Sequence, residues 1–541
     1  MPILSWLSRE DDLKCANQTP YRLLEELPKL SYGDKNAGNM IIQGDNLEAL
    51  KALLPFYAGQ VKCVYIDPPY NTGSAFEHYD DNLEHSQWLS MMYPRLELLK
   101  DFLRSDGFIC CHINDDEGSY LKVIMDEIFG RQNFLTTIFV QVRYAEKTLK
   151  QDMNFHKQIE QIYIYRNSYN AKPILNTIES SFDKFIFYFE EKAGGTEIIL
   201  GGKRVVIFQA NEYKITEKTG SENGRKEIWA SGTILDGNSS GRFFRDYLTG
   251  RYETDGLGVL YKVYGIGDDK FDFRYFTGPK KIGATKGKYY QGVPLEQINN
   301  PDELKTLPIE NFLDLAAAFG NCRTEGGVGF RAGKKPEALL KFILGHFSNE
   351  GDLVLDSFSG SGSTCATAHK MKRKYIGIEM GEHAQTHCVV RLKKVIDGEQ
   401  GGISESVGWQ GGGGFHFFQL GEGVFDSEGR INETIKFCQL AAYLWFYETK
   451  MPFNKPKQKT PFLGVHNGTG YALLYNGILH DRRINGGNVL TTPMLEIIIS
   501  DADNVQYDSL VVYGEYSCIG EKCLKADKII FKQIPYDLKV K

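Results

Sequence analysis

Apolar residues follow two rhythms along this chain. Between residues 39 and 165, short continuous apolar runs alternate with longer stretches whose apolar positions recur every three or four residues. The runs "NMIIQGD" (39–45), "VKCVYID" (61–67), "FICCHIND" (108–115) and "IEQIYIYRN" (159–167) predict buried strands, several ending in acids. "NLEALKALLPFY" (46–57), "SQWLSMMYPRLELLKDFLRSDG" (86–107) and "EGSYLKVIMDEIFG" (117–130) predict amphipathic helices, the second closed by Gly107 and the third by Gly130. The same grammar returns at 335–395. There "KKPEALLKFILGHFS" reads as a helix, "DLVLDSF" as a strand, "STCATAHKMKR" as a helix, "KYIGIEM" as a strand and "HAQTHCVVRLKKVIDG" as a helix. Strands alternating with helices imply an α/β fold whose parallel sheet is covered on both faces.

From 170 to 310 the helical period fades. Glycines, aromatics and short alternating runs take over, as in "GGKRVVIFQANEYKITEKTG", which predicts a β-rich insertion. "QGGISESVGWQGGGG" (400–414) reads as a glycine-rich boundary. The expected organisation is an extension at 1–38, a first α/β half at 39–168, the insertion at 169–310, a second α/β half at 311–400 and a mixed C-terminal segment at 401–541.

Composition changes this picture little. The 541 residues exceed one core, and 42% hydrophobic with 24% charged is ordinary for a folded protein. The net charge of −6 excludes a wholly basic nucleic-acid coat and leaves room for a local basic cleft. Residues 201–290 hold 16 Lys+Arg against 11 Asp+Glu. No run approaches the ~20 apolar residues of a membrane span, and "MPILSWLSREDDLK" lacks a signal-peptide pattern. Ten cysteines show no disulfide framework, and Cys518 with Cys523 lacks two further ligands for a zinc site. The expectation is a reduced cytoplasmic protein without a metal.

Two stretches carry chemistry. Asp67-Pro68-Pro69-Tyr70 ends an apolar strand with a carboxylate, which is costly to bury unless it has a partner. In "LVLDSFSGSGSTCATAHK" a strand is followed by a glycine turn and a helix, a shape that brings backbone N–H groups and a helix N-terminus to a ligand. Cys365 stands where a dinucleotide fingerprint needs its third glycine, and the chain has no phosphate-cradling G-x-x-x-x-G-K-[ST] loop. With Glu379 ending the next strand, placed for ribose hydroxyls, the loop favours a nucleoside ligand without a pyrophosphate.

Together, Asp67-Pro68-Pro69-Tyr70 and the run from Asp356 through Phe358 and Gly360 to Gly362 resemble the amino-methylating DNA methyltransferases. The catalytic motif precedes the cofactor motif, the permuted order of the β class. "GKKPEALLKFIL" (333–344) resembles the cofactor helix of that class, with Gly333 where Thr is usual. "QGDNLEAL" (43–50) resembles its next strand-end motif. "DPPYNTGS", "WLSMMYPRLELLKDFLRSDG", "LKVIMDEIFG" and "GWQGGGGF" further resemble the modification subunit of type III restriction-modification systems. The resemblance implies a Rossmann-like S-adenosyl-L-methionine-dependent fold whose β-rich insertion recognises the target sequence. It implies transfer of a methyl group to adenine N6 in double-stranded DNA. Cytosine N4, a methylase without a restriction partner and a silent DNA-binding scaffold are the alternatives. Asp67, Pro68, Pro69 and Tyr70 would hold the flipped base. Asp45, Lys335, Pro336, Asp356, Phe358, Gly360, Gly362 and Glu379 would hold the cofactor, although Asp45 could equally cap the helix that follows it. A homodimer and a helicase-nuclease restriction subunit are the implied partners. His112 and Asn114-Asp115-Asp116 read as pocket wall, and His156 as a structural hydrogen-bond former.

Overall fold

The computed structural model describes residues 3–71, 84–146, 154–178, 181–192, 194–230, 239–299, 305–330, 333–426, 430–454, 460–502 and 505–534. Thr72-Gly73-Ser74 of the "DPPYNTGS" stretch lies outside them. Two compact units emerge: Met1–Ile174 with Glu310–Lys541, and Leu175–Ile309.

In the first unit ten strands form one sheet. In chain order they are β1 (Arg22–Glu26), β2 (Met40–Gln43), β3 (Val61–Ile66), β4 (Leu103–Ile113), β5 (Phe134–Gln141), β6 (Ile159–Arg166), β7 (Phe312–Asp314), β8 (Leu353–Asp356), β9 (Lys374–Glu379) and β10 (Gly414–Gly423). Their spatial order is β1-β10-β2-β9-β8-β3-β4-β6-β5-β7, with the short Tyr32–Gly33 strand added on β10. The central five, β2-β9-β8-β3-β4, are all parallel. Along β3 every residue is buried, and alternate side chains enter opposite layers. Val64 and Ile66 join one apolar cluster, and Cys63 and Tyr65 join the other. Helices α1 (Asn46–Tyr57) and α2 (His85–Phe102) supply the first layer through Leu50, Leu53, Trp88, Met92 and Leu96. Helices α3 (Glu337–Phe347), α4 (Ser363–Lys370) and α5 (Val390–Ile396) cover the other face through Leu340, Ile343, Ala366, Leu392 and Val395. Among the described residues no helix is long and apolar enough to cross a membrane.

Three expectations change. First, α2 ends at Phe102, before Gly107. The following residues already pair with β3, and Gly107 sits in that irregular pairing, where a Cβ would lie 3.0 Å from the Val61 carbonyl oxygen. Second, the sheet is mixed: β6 runs antiparallel to both β4 and β5. Third, the glycine-rich stretch at 400–414, which ends in the run 411–414, is no boundary. It leads into β10, which pairs with β2 in the same sheet. Its glycines permit close approach: a side chain at Gly413 would meet the His369 ring at 2.7 Å.

Beyond β10, strands Phe462–His466, Thr469–Leu473, Ser509–Gly514 and Ile529–Gln533 form a second, four-stranded sheet. In the Leu175–Ile309 unit a six-stranded antiparallel sheet dominates, together with two small two-stranded ones. Its aromatic richness is mostly core: Tyr261, Phe276, Tyr289 and Tyr290 are buried. The Arg225 guanidinium lies 3.7 Å from the centre of the Phe271 ring and is itself buried. Trp229 and the loop bearing Lys280, Lys281, Ile282 and Lys286 are exposed.

Candidate active site

Parallel strands end on one edge of their sheet, and in open α/β sheets that edge is where ligands bind. Asp45, Glu379, Asp356 and Asp67 close or follow the neighbouring strands β2, β9, β8 and β3. The two motifs, far apart in the chain, therefore stand side by side because β8 pairs directly with β3.

At the end of β3, Asp67 is half-buried. Its Oδ2 lies 2.9 Å from Lys335 Nζ, while Oδ1 is buried without a hydrogen-bond partner among the described residues. The prolines shape the turn, since each fixes φ and removes a donor. The Pro69 carbonyl accepts a 2.8 Å hydrogen bond from the indole N–H of fully buried Trp88, which pins the turn to α2. The Tyr70 hydroxyl donates to Glu160 Oε2 at 3.1 Å, and Lys335 Nζ sits 4.8 Å from the centre of the Tyr70 ring. Burial, with Asp67 and Glu160 nearby, pushes the Tyr70 phenol well above its ordinary pKa, so it stays a donor.

Glu160 was not anticipated as a site residue. Its Oε2 also lies 3.6 Å from Lys335 Nζ and 2.9 Å from His112 Nε2. The His112 contact does not meet hydrogen-bond geometry. The Tyr65 hydroxyl meets His112 Nδ1 at 2.8 Å. Burial pushes the Glu160 carboxyl up, but the Lys335 ammonium and His112 more than offset this and hold it at about 2. Burial likewise opposes the Lys335 charge, and Asp67 and Glu160 overcome it, so the ammonium titrates above its usual range. Lys335 and Pro336 were expected on the cofactor side; the Lys335 side chain reaches the Asp67 cluster, and Pro336 precedes the first residue of α3.

Across β8 lies the glycine loop. Asp356 Oδ1 accepts from the Phe358 N–H at 2.9 Å, and burial pushes this carboxyl up to about 7. Gly360 and Gly362 have φ of +52° and +75°, left-handed values that favour glycine. Glu379 is buried. Its Oε2 accepts from the Gly360 N–H at 2.6 Å, and its Oε1 accepts from Met380 N–H at 2.8 Å and lies 2.9 Å from His383 Nε2. The hydroxyl of Ser357, in the same loop, is buried without a partner among the described residues. The third glycine of a dinucleotide loop is replaced from the facing strand. A Cβ at Gly377 in β9 would lie 2.6 Å from Cys365 Sγ, so Gly377 makes the room that lets α4 pack closely. Behind the loop, buried Arg391 donates to Ser363 Oγ at 2.6 Å and to Glu337 Oε1 at 2.7 Å, and buried Lys370 donates to Glu337 Oε2 at 2.8 Å.

Asp45 caps α1. Its Oδ1 accepts from the N–H groups of Leu47 and Glu48, and its Oδ2 pairs with Arg95 at 2.8 Å. The capping role is thus met, and much of its acceptor capacity is used.

A strand-end carboxylate, one oxygen of which has no partner among the described residues, thus stands beside a glycine loop without a pyrophosphate cradle, as the resemblance of the two motifs implies. Comparison agrees: residues 61–389 match the family model described as DNA methylase, and the chain belongs to that family. Over 405 residues, 71% of this chain, it is 34% identical to a probable type III restriction-modification enzyme HindVI Mod subunit of Haemophilus influenzae. Over 424 residues, 69% of this chain, it is 27% identical to the type III restriction-modification enzyme EcoP15I Mod subunit of Escherichia coli. It spans 54% and 62% of the lengths of these two relatives. A 47-residue stretch, 9% of this chain and 16% of the relative, is 57% identical to the DNA adenine methyltransferase YhdJ of Escherichia coli.

Proposed function

We propose that this chain is a site-specific DNA methyltransferase. In this reading it transfers the methyl group of S-adenosylmethionine to N6 of an adenine turned out of duplex DNA. It serves as the modification and specificity subunit of a type III restriction-modification system. The observation that carries the reading is Asp67: one carboxylate oxygen fixed by Lys335, the other buried and without a partner among the described residues, at the end of the strand next to the glycine loop. The similarity to two Mod subunits supports the type III role, and the stretch shared with an adenine methyltransferase supports adenine.

An aromatic amine is a weak nucleophile because its lone pair is conjugated with the ring. Asp67 Oδ1 would accept one N–H and the Pro68 carbonyl the other, favouring a more pyramidal nitrogen. Tyr70 would stack on the base, at about 1–3 kcal/mol per base. The target must leave the duplex to reach such a pocket. The residues that would hold the cofactor are Asp356, Ser357, Phe358, Gly360, Gly362 and Glu379. The Ser357 hydroxyl, without a partner among the described residues, suits a polar group of the cofactor, and the Glu379 carboxylate shapes the loop through the Gly360 N–H. When bound, S-adenosylmethionine supplies a methyl group already activated by the positive sulfur. The chain's task is then alignment, which can supply about 7–11 kcal/mol. Lys280, Lys281 and Lys286, exposed in the Leu175–Ile309 unit, suit phosphate contacts in a target-recognition role. A homodimer, a restriction subunit as partner and a cytoplasmic location belong to the same reading.

The test is methylation of duplex DNA followed by single-molecule sequencing. Wild-type protein should leave N6-methyladenine at one short motif. Asp67→Ala should abolish transfer while S-adenosylhomocysteine binds within about tenfold of wild type, because the carboxylate serves the amine. Methylated cytosine would overturn the adenine assignment, and an active Asp67→Ala would overturn the site.

A further inference from the structure

Resting on the methyltransferase reading, we infer that Glu160 is a positioning residue for the reaction: it shares the Lys335 ammonium with Asp67 and anchors the Tyr70 hydroxyl, so that Asp67 presents one free oxygen to the incoming amine.

Lys335 Nζ lies between two carboxylates, 2.9 Å from Asp67 Oδ2 and 3.6 Å from Glu160 Oε2. Removing either anion would leave the ammonium to the other. With Glu160 in place, the cation is held from both sides and is kept on Oδ2, which leaves Oδ1 turned away without a partner. The same Glu160 oxygen accepts from Tyr70 at 3.1 Å and stands 2.9 Å from His112 Nε2. One half-buried carboxylate oxygen thus fixes the orientation of the stacking ring and the position of the cation beside the acceptor. The Tyr65 hydroxyl in turn holds His112 on its far side, at 2.8 Å. A carboxylate at this depth is costly unless several donors surround it. Here the donors Lys335 and Tyr70 come from separate segments of the unit, His112 packs against the same oxygen from a third, and each bears on the site. A purely structural ion pair would have no reason to converge on the motif residues themselves.

Glu160→Gln keeps the shape and an acceptor for Tyr70 and removes the charge. The expected result is a fall in kcat of about 10- to 100-fold, the scale set by a small misplacement of reacting groups. KM for DNA and the Kd for S-adenosylhomocysteine should stay within about threefold, because Glu160 has no part in holding either. A double-variant cycle supplies the readout that a stability effect cannot mimic. Lys335→Met leaves Asp67 and Glu160 facing each other without their shared cation. Adding Glu160→Gln relieves that repulsion, so the double variant should be at least as active as Lys335→Met alone. Unchanged kcat in Glu160→Gln, or penalties that multiply in the double variant, would overturn the inference. Should Glu160→Gln not fold, Glu160→Asp carries the test, since it keeps the charge but shortens the reach. Lowered kcat at constant KM supports the role, and wild-type kcat ends it. Absence of methyl transfer by the wild-type protein would instead sink the underlying reading.

Discussion

At the scale of single residues, the site is built from charges placed to balance one another. Asp67 and Glu160 share one lysine, while Asp356, with no ion-pair partner among the described residues, is pushed up to about 7 by burial. A carboxyl whose folded-state pKa is raised binds its proton more tightly in the folded than in the unfolded chain. Its favourable contribution to stability is complete below its ordinary value and is lost as pH rises through about 7. A ligand carrying positive charge reverses the preference, because it favours the ionised form. S-adenosylhomocysteine is a zwitterion; if its ammonium rather than its carboxylate faces Asp356, binding should release protons near pH 6. Affinity should climb as pH rises from 5.5 to 8 and then level off. Calorimetry in buffers of different ionisation enthalpy measures that proton count; uptake of protons, or none, would remove Asp356 from the cofactor site. Asp67, Asp356 and Glu379 were expected from the sequence because strand-end acids beside a glycine turn have recognisable spacing, and Tyr70 because of the motif it closes. Glu160 and Trp88 were not, since each lies in a run that a buried strand or helix already accounts for.

At the scale of elements, strand direction decides what reaches the site. In β6 the register opposes His112 to Ile162 and Ile113 to Gln161, so the beginning of this antiparallel strand lies at the end of β4. Glu160 thereby arrives at the catalytic edge. Had β6 run parallel, as alternating strands and helices suggest, its opposite end with Arg166 would have stood there. The loop on the other half depends on a contact between elements that no local motif records. Gly377→Val would drive a branched side chain into Cys365 Sγ, which now lies where its Cβ would be only 2.6 Å away. Overpacking of this kind costs about 1–3 kcal/mol. The expected outcome is a lowered melting temperature together with weakened cofactor binding, because α4 and its glycine turn must move as one piece. Calorimetric melting and titration of the same sample check both, and a variant that melts and binds as wild type would refute the packing argument.

At the scale of the whole molecule, the residues proposed for chemistry and the unit proposed for recognition belong to different parts of the chain. The motif residues all belong to the unit Met1–Ile174 with Glu310–Lys541, and Leu175–Ile309 forms its own sheet and its own core. Exchange of Leu175–Ile309 for the corresponding unit of a relative should change the DNA motif that is methylated while kcat stays within about tenfold, since alignment at Asp67 is untouched. Sequencing of DNA from cells expressing the chimaera reads the outcome, and an unchanged motif would remove this unit from recognition. The sequence by itself determined the alternation of strands and helices, the interruption by a β-rich unit and the two motifs, because these depend on periodicity and on neighbours a few residues apart. Tertiary structure alone decided that β8 lies against β3, that β6 runs backwards to bring Glu160 to Lys335, and that a glycine run after residue 400 leads into a further strand of the main sheet. Those outcomes rest on pairing between segments distant in the chain, where the free energy comes from burying whole faces together, and no local spacing carries that information.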